Sequence, residues 1–395
     1  LVANKRGKPR RMKRIIICCD GTWNAPNAPS DTHVERLAKS IQPIDDKGVA
    51  QLVLYYPGVG EGRGPTWINR AMDRVLGGAF GLGLLDNIKL AYRDLILNFD
   101  PGDGQRPSDE IFIFGFSRGA FTARSLCGLM RVGGIPAPNK IGEIDSIIAQ
   151  YMAAKGKVDA DDVEMMQMRA KNSPAIATSD DDMTYRMALP EHPSHVQRLK
   201  IDYMGVWDTV GGLGLPGMLG WVARIYNQRY AFHDTLLSRS VRGARHALAI
   251  DEMRKLYPHT EWANLADLNG PDAQGFERPY QQQWFPGTHS IVGGSGGVMG
   301  LGAASFLFVL EGARQKGLRL DAEILAHLEG QIDAEAEATG FKQAGIFGKI
   351  PFLVAPRANG PEFVEDVSDV AQKRVRALKT YRPKTLKKVL GKILP

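Results

Sequence analysis

At 395 residues the chain is long enough to bury a core without disulfides or structural metal, and with 44% apolar and 24% charged residues it has an ordinary globular composition. Three cysteines, two of them adjacent, exclude a disulfide-stapled scaffold. The net charge of +7 hides an acidic body. Residues 1–14 hold seven basic residues and no acid and residues 373–395 hold nine and no acid; without those sixteen, 34 basic residues face 43 acidic ones, a net of −9.

In chain order, the apolar run Ile15–Cys19 reads as a fully buried parallel strand that ends abruptly in Asp20-Gly21-Thr22. Thr32–Ile41 follows as a helix with Asp31 as its candidate cap. Leu52–Tyr56 is a second strand, and a glycine-rich connection leads to a helix over 84–98 with Leu84, Ile88, Ala91, Leu95 and Ile96 in its period, ended by Pro101-Gly102. The glycines at 58, 60, 62 and 64 are spaced G-x-G-x-G-x-G, which is not a dinucleotide fingerprint; no Walker A sequence or C-x-x-C pair occurs, and neither cofactor nor metal is expected. Glu110–Phe116 is a third strand and Arg118–Met130 a helix. From 136 to 199 the chain becomes richer in acid and Met without a convincing buried strand, which predicts a mostly helical insertion. Ile201–Trp207 is a fourth strand ending at Asp208, Asp234–Ile250 is expected to be helical, Gln282–Phe285 is a short strand, and Ala303–Ala313 and Ala322–Leu328 are helical. Strands that are apolar on both faces, alternating with helices, predict an open, mostly parallel sheet with helices on both faces. Such sheets carry their chemistry at the carboxyl ends of strands, where Asp20, Ser117, Asp208 and His289 all fall.

Gly115-Phe116-Ser117-Arg118-Gly119 matches G-x-S-x-G in the required context, a buried strand before it and a small-residue helix after it. The two glycines are expected to prevent collisions of this tight turn with the neighbouring strand and helix, holding Ser117 out at the top of the sheet. A serine hydroxyl needs a general base, and the base needs an orienting acid. His289 sits in a loop between a strand and a glycine cluster and is the chosen base. His246, in the expected helix, is assigned a structural role, and His192 and His195 a surface loop. Asp208 is the chosen acid, with Asp202 and Asp234 as rivals. An oxyanion hole is expected from the backbone N–H of Arg118 and that of Gly21 or Thr22, with Asp20 accepting hydrogen bonds that shape the loop. Cys18 and Cys19 read as strand packing. The nucleophile, base and acid together predict a serine hydrolase for carboxylic esters; the alternative is a non-catalytic interaction module on a hydrolase scaffold.

The segments CCDGTWN (18–24), GVGEG (58–62), AYRDLI (91–96), DEIFIFGFSRGAFTARSL (109–126), GVWDTVG (205–211), ARHALAIDE (244–252) and WFPGTHSIVGG (284–294) resemble the DUF2235 family over roughly residues 13–315. That α/β-hydrolase family includes the Tle1-type phospholipase effectors of bacterial type VI secretion. The resemblance implies an α/β-hydrolase fold, a phospholipid or other lipid ester as substrate, and the family's serine, aspartate and histidine at Ser117, Asp208 and His289. The family pattern continues H-S-D-V-G-G-G, where this chain has Ile291 and Ser295 in place of the acid and a glycine. The expected organisation is a catalytic domain over 13–330, carrying the 136–199 insertion, and a 331–395 extension with the basic tail. Leu386, Val389, Leu390, Ile393 and Leu394, spaced among lysines, allow an amphipathic helix at an anionic membrane. The tails hold few aromatics, so no specific nucleic acid is expected as partner. With no apolar h-region after the first basic residues and no long apolar span, the expected location is cytoplasmic, or exported without a classical signal peptide, and not transmembrane.

Overall fold

The computed structural model describes residues 11–21, 31–58, 78–154, 160–191, 194–210, 236–255, 257–271, 278–337 and 354–394. Eight strands are described: β1 Lys13–Cys19, β2 Ala50–Tyr56, β3 Glu110–Phe116, β4 Ile176–Ala177, β5 Gln197–Arg198, β6 Tyr203–Trp207, β7 Ala244–Ala249 and β8 Tyr280–Phe285. Six form one sheet in the order β2-β1-β3-β6-β7-β8, parallel throughout. From β1 the chain winds outward to β2, then returns past β1 to β3 and continues the other way. The strand order therefore reverses between β1 and β3, the place where a parallel sheet opens a crevice at its carboxyl ends.

The helices are α1 His33–Ser40, α2 Gly78–Asn98, α3 Arg118–Gly133, α4 Ile144–Ala154, α5 Val163–Asn172, α6 Asp180–Met187, α7 Leu265–Asn269, α8 His289–Val292, α9 Met299–Gln315, α10 Ala322–Gly330, α11 Asp369–Ala377 and α12 Leu390–Ile393. Because strand side chains alternate, β1 and β3 feed two cores. Ile15, Ile17, Cys19, Ile111 and Ile113 pack against α2 and α3, through residues such as Ile88, Leu95, Ala123 and Leu126. Ile16, Cys18, Phe112, Phe114 and Phe116 pack on the other face against Val34 and Leu37 of α1 and Phe306, Val309 and Leu310 of α9. Burial pushes the Cys19 thiol up to about 12, the state of an inert packing group.

Several expectations are corrected. The expected helix over Asp234–Ile250 is the buried strand β7 from Ala244 onward, while residues 234 and 235 lie outside the described residues. Its alanines suit a helix by local propensity, but every residue of ARHALA is buried between two strands and sheet pairing decides. The cap of α1 is Thr32, not Asp31: the Thr32 hydroxyl accepts from the Glu35 N–H at 3.0 Å, while Asp31 pairs with Lys39. The 136–199 insertion carries α4, α5 and α6 as expected, and also the short parallel pair β4–β5. The apolar residues of the tail are not a free helical face. Leu386, Val389 and Ile393 are buried with Leu248 and Trp284 of the main sheet, with Ile250 just beyond β7, and with Val367, Ala371 and Val375. No helix among the described residues is long and apolar enough to cross a membrane.

The elbow glycines have the steric role expected of them. A methyl group on Gly115 would lie 2.5 Å from the Gly119 carbonyl oxygen, and one on Gly119 would strike the carbonyl oxygens of Cys19 and Asp20. These neighbours are backbone and cannot rotate away. Gly119→Ala is therefore expected to destabilise the fold by about 2–3 kcal/mol, read by chemical denaturation; a change within about 0.5 kcal/mol would show that the packing is looser than this.

Candidate active site

Among the described residues only two non-glycine residues have positive φ, Ser117 at 58° and Asp208 at 40°. Each is the first residue beyond a central strand. Backbone held in this region stores strain of about 1–3 kcal/mol and persists only where surrounding structure imposes it. Here the imposition is visible. The Ser117 N–H donates to the Trp207 carbonyl at 3.0 Å and the Asp208 N–H to the Ala247 carbonyl at 2.7 Å, so each turn is tied to the next strand.

The structure brings Ser117, His289 and Asp208 together. His289 Nε2 lies 2.8 Å from Ser117 Oγ, and Nδ1 lies 2.6 Å from Asp208 Oδ2. A carboxylate only accepts, so Nδ1 carries the proton and Nε2 is left to accept from the serine hydroxyl. All three residues are buried. Burial would raise the Asp208 carboxyl, but the charge of Arg357 and hydrogen bonds from His289 and Arg357 outweigh it and hold Asp208 well below the usual carboxylate range. Burial lowers the proton affinity of His289 below the ordinary histidine value, with Asp208 acting against it.

The histidine loop is fixed from below. Its Gly287 N–H donates to Asp251 Oδ2 at 2.7 Å, and the His289 N–H to Glu252 Oε2 at 3.1 Å. Arg254 clasps both oxygens of Glu252 at 2.8 Å and lies 3.9 Å over the Tyr257 ring. Tyr257 and Phe116 flank the imidazole, with ring centroids 5.0 and 4.8 Å away. His289, expected in a loop, opens the short helix α8, and Ile291, where the family pattern has an acid, is buried in that helix; a methyl group on Gly287 would lie 2.6 Å from its side chain.

On the other side of Ser117 stands the loop after β1. A methyl group on Gly21 would lie 3.3 Å from Ser117 Cβ, so the two backbones are neighbours. Asp20 accepts three hydrogen bonds there, from Thr32 Oγ1 at 2.7 Å, Tyr55 Oη at 2.6 Å and the Gly21 N–H at 2.6 Å. The Gly21 amide, expected to face an oxyanion, is thus directed at Asp20 in this structure. Thr22 lies outside the described residues. Arg118 opens α3 directly after Ser117. Of the rival acids, Asp202 accepts from the Ile111 N–H near the amino end of β6, away from the histidine, and residue 234 is not described. His246 accepts from the Thr209 N–H at 3.2 Å and meets Gln282 at 3.0 Å inside the sheet.

The sequence reading missed Arg357, Glu252, Arg254 and Tyr257. Glu252 lies within a segment that carries the family resemblance, but no spacing rule marks it. Arg357 sits in Ala-Pro-Arg-Ala-Asn, far along the chain from any motif.

A parallel sheet with a strained serine at a strand-to-helix elbow, bonded to a histidine and an aspartate from later strand ends, defines an α/β-hydrolase. Within that class, the chain belongs to the family described as T6SS phospholipase effector Tle1-like, catalytic domain, which matches residues 13–308. A similar curated protein is the uncharacterized protein YEL023C of Saccharomyces cerevisiae, 27% identical over 255 residues that make up 61% of this chain and 31% of the yeast protein. Two solved structures are similar. An uncharacterized protein from Pseudomonas aeruginosa has 15% identity and a TM-score of 0.41, with 82% of this chain and 49% of that one covered. The Tle1 effector bound to the VgrG spike of the type 6 secretion system has 17% identity and a TM-score of 0.33, with 73% and 52% covered. The chain spans about a third of the length of the yeast relative and about half of each solved chain.

Proposed function

We propose that the protein is a serine hydrolase that cleaves carboxylic esters, with phospholipid or another lipid ester as substrate, through an acyl-enzyme on Ser117. The observation that carries this reading is the unbroken hydrogen-bonded line Ser117–His289–Asp208 at 2.8 and 2.6 Å. His289 Nε2 takes the hydroxyl proton as Ser117 Oγ adds to the acyl carbonyl, and Asp208 stabilises the imidazolium. The tetrahedral intermediate collapses, and the alcohol leaves with the proton from Nε2. Water, giving its proton to His289, then attacks the acyl carbon, and Ser117 regains its proton as the acid departs. The oxyanion forms at the start of α3, where the Arg118 amide and the helix N-terminus favour negative charge. A second donor from Gly21 requires its N–H to leave Asp20, so Asp20 is assigned control of that loop.

The family's description as phospholipase effectors supports a lipid substrate. Contact with an anionic membrane is assigned to exposed lysines, since the tail's apolar residues face inward. Lys384, Lys387 and Lys392 are exposed on a segment anchored just beyond β7, where Thr385 Oγ1 donates to the Ile250 carbonyl at 2.8 Å. The catalytic unit is proposed to act in the cytoplasm or after export. The test is fatty-acid release from vesicles of phosphatidylethanolamine and phosphatidylglycerol, run beside a fluorophosphonate probe. Label on Ser117 together with acid release is the expected result. Label without release from any lipid would leave an esterase and remove the lipid substrate, and neither would sink the proposal.

A further inference from the structure

We propose that Arg357 is a positioning residue of this site, clamping Asp208 through both carboxylate oxygens and thereby setting the pH range over which His289 acts as base. The inference rests on the triad reading above. Arg357 Nη1 donates to Asp208 Oδ1 at 2.6 Å and Nη2 to Oδ2 at 2.7 Å, a paired geometry that only a guanidinium supplies. The Ala249 N–H donates to Oδ1 at 2.9 Å and His289 Nδ1 meets Oδ2 at 2.6 Å. Each oxygen thus has two donors, and the carboxylate has no remaining rotational freedom. It is directed at His289 by contacts on every side.

The chain holds Arg357 in turn. Nη1 also donates to the Ala249 carbonyl at 2.9 Å, the Ala355 N–H donates to the Met253 carbonyl at 2.8 Å, and Val354 bridges to Arg254. The segment therefore lies along the loop that follows β7. Arg357 is 49 residues past the end of the family match at 308, and helix α11 and the tail pack onto the same edge of the sheet. The described part of the extension, 354–394, is on this reading part of the catalytic unit and not an appendage.

Charge decides what the clamp does. The groups around His289 are Asp208 beyond β6, Glu252 and Arg254 beyond β7, Tyr257 at its ring edge, Ser117 and Arg118 at the start of α3, and Arg357 behind Asp208. Glu252 is matched by Arg254 and Asp208 by Arg357, and Arg118 adds a further cation at the start of α3. With neutral His289 the Asp208–Arg357 pair sums to zero; with imidazolium the three groups carry a net positive charge, which Arg118 makes still less favourable. Arg357 thus discourages protonation of the resting base while keeping the carboxylate ionised. Without it, a buried carboxylate beside an imidazole takes up a proton at higher pH, whichever of the two groups holds it.

The test follows kcat/KM for p-nitrophenyl butyrate, and the rate of fluorophosphonate labelling, between about pH 5 and pH 9 in the full chain. Arg357→Gln is expected to move the acid limb of both profiles up by about one pH unit, a deficit of about tenfold below the limb that shrinks at high pH. A second, pH-independent fall reflects the loosened carboxylate. Arg357→Lys keeps the charge and loses the paired geometry, so its limb stays at the wild-type position while its rate falls. An unmoved limb in Arg357→Gln would overturn the inference, whatever its rate; should that variant fail to fold, a wild-type rate in Arg357→Lys would do the same. Ser117→Ala run in parallel separates the two readings. Activity surviving there removes the triad itself, whereas its loss combined with an unmoved Arg357→Gln limb removes only the role of Arg357.

Discussion

Ser117→Ala is expected to lower kcat/KM for esters by about 10⁴-fold or more while leaving the fold in place. The size follows from what remains. Without Oγ no acyl-enzyme forms, and His289 can only direct water into a site built around a covalent step. The fold is expected to tolerate the change because the elbow is held by backbone contacts, the Ser117 N–H to the Trp207 carbonyl and the glycines on either side, none of which uses the hydroxyl. The strained backbone supplies a second measurement. At φ 58° alanine inherits the strain of serine, whereas glycine does not. Ser117→Gly should therefore be as inactive as Ser117→Ala but more stable by about 1 kcal/mol, after allowance for the greater freedom of glycine in the unfolded chain. Ester turnover within tenfold of wild type in either variant would rule out Ser117 as the nucleophile. Equal melting temperatures would mean that the strain relieved at the elbow is no larger than the entropic cost of glycine, about 0.4–1 kcal/mol.

What the sequence displays of this molecule follows from the range of each interaction. The central strands are legible because burial on both faces demands uninterrupted apolar runs; EIFIFGF is read as a strand over the same seven residues that form β3. Ser117 and Asp208 are nameable because each follows such a run, and His289 because it lies between the short strand ending in Trp284-Phe285 and a glycine cluster; the structure places His289 within hydrogen-bonding distance of both the others. Strand β7 is misread because ARHALA has helical local preferences, and what makes it a strand is distant in sequence: pairing with β6 and β8, and faces covered by α9 and by the C-terminal segment. The cap of α1 is missed by one residue because Asp31 and Thr32 are equally good caps until the fold aims Thr32 at Asp20. Arg357 is illegible for a stronger reason. Its partner lies 149 residues away, and one arginine among fifty basic residues carries no local signature. The tail shows the same limit. Apolar residues at helical spacing look alike whether a membrane or the protein's own Trp284 covers them.

The Asp208–Arg357 pair makes the second large effect a joint one on rate and stability. Asp208→Asn is nearly isosteric, yet it should lower kcat by about 10⁴-fold, because an amide at this position can present its NH₂ to the imidazole and favour the wrong tautomer. In a site where the aspartate met only backbone donors, that substitution would be mild for the fold. Here it leaves the buried Arg357 guanidinium facing a neutral group, and the loss of one partner from a buried ion pair costs about 3–5 kcal/mol. Adding Arg357→Met to Asp208→Asn removes the orphaned charge. The double variant should regain most of the lost stability and none of the lost activity, since no carboxylate has returned to orient His289. Denaturant melts of the wild type, both single variants and the double variant give the coupling directly. Additive losses would mean that the two side chains do not share their burial energy. The expected pattern, stability rescued and catalysis not, separates the two duties of Asp208: holding the charge of Arg357 and holding the proton of His289.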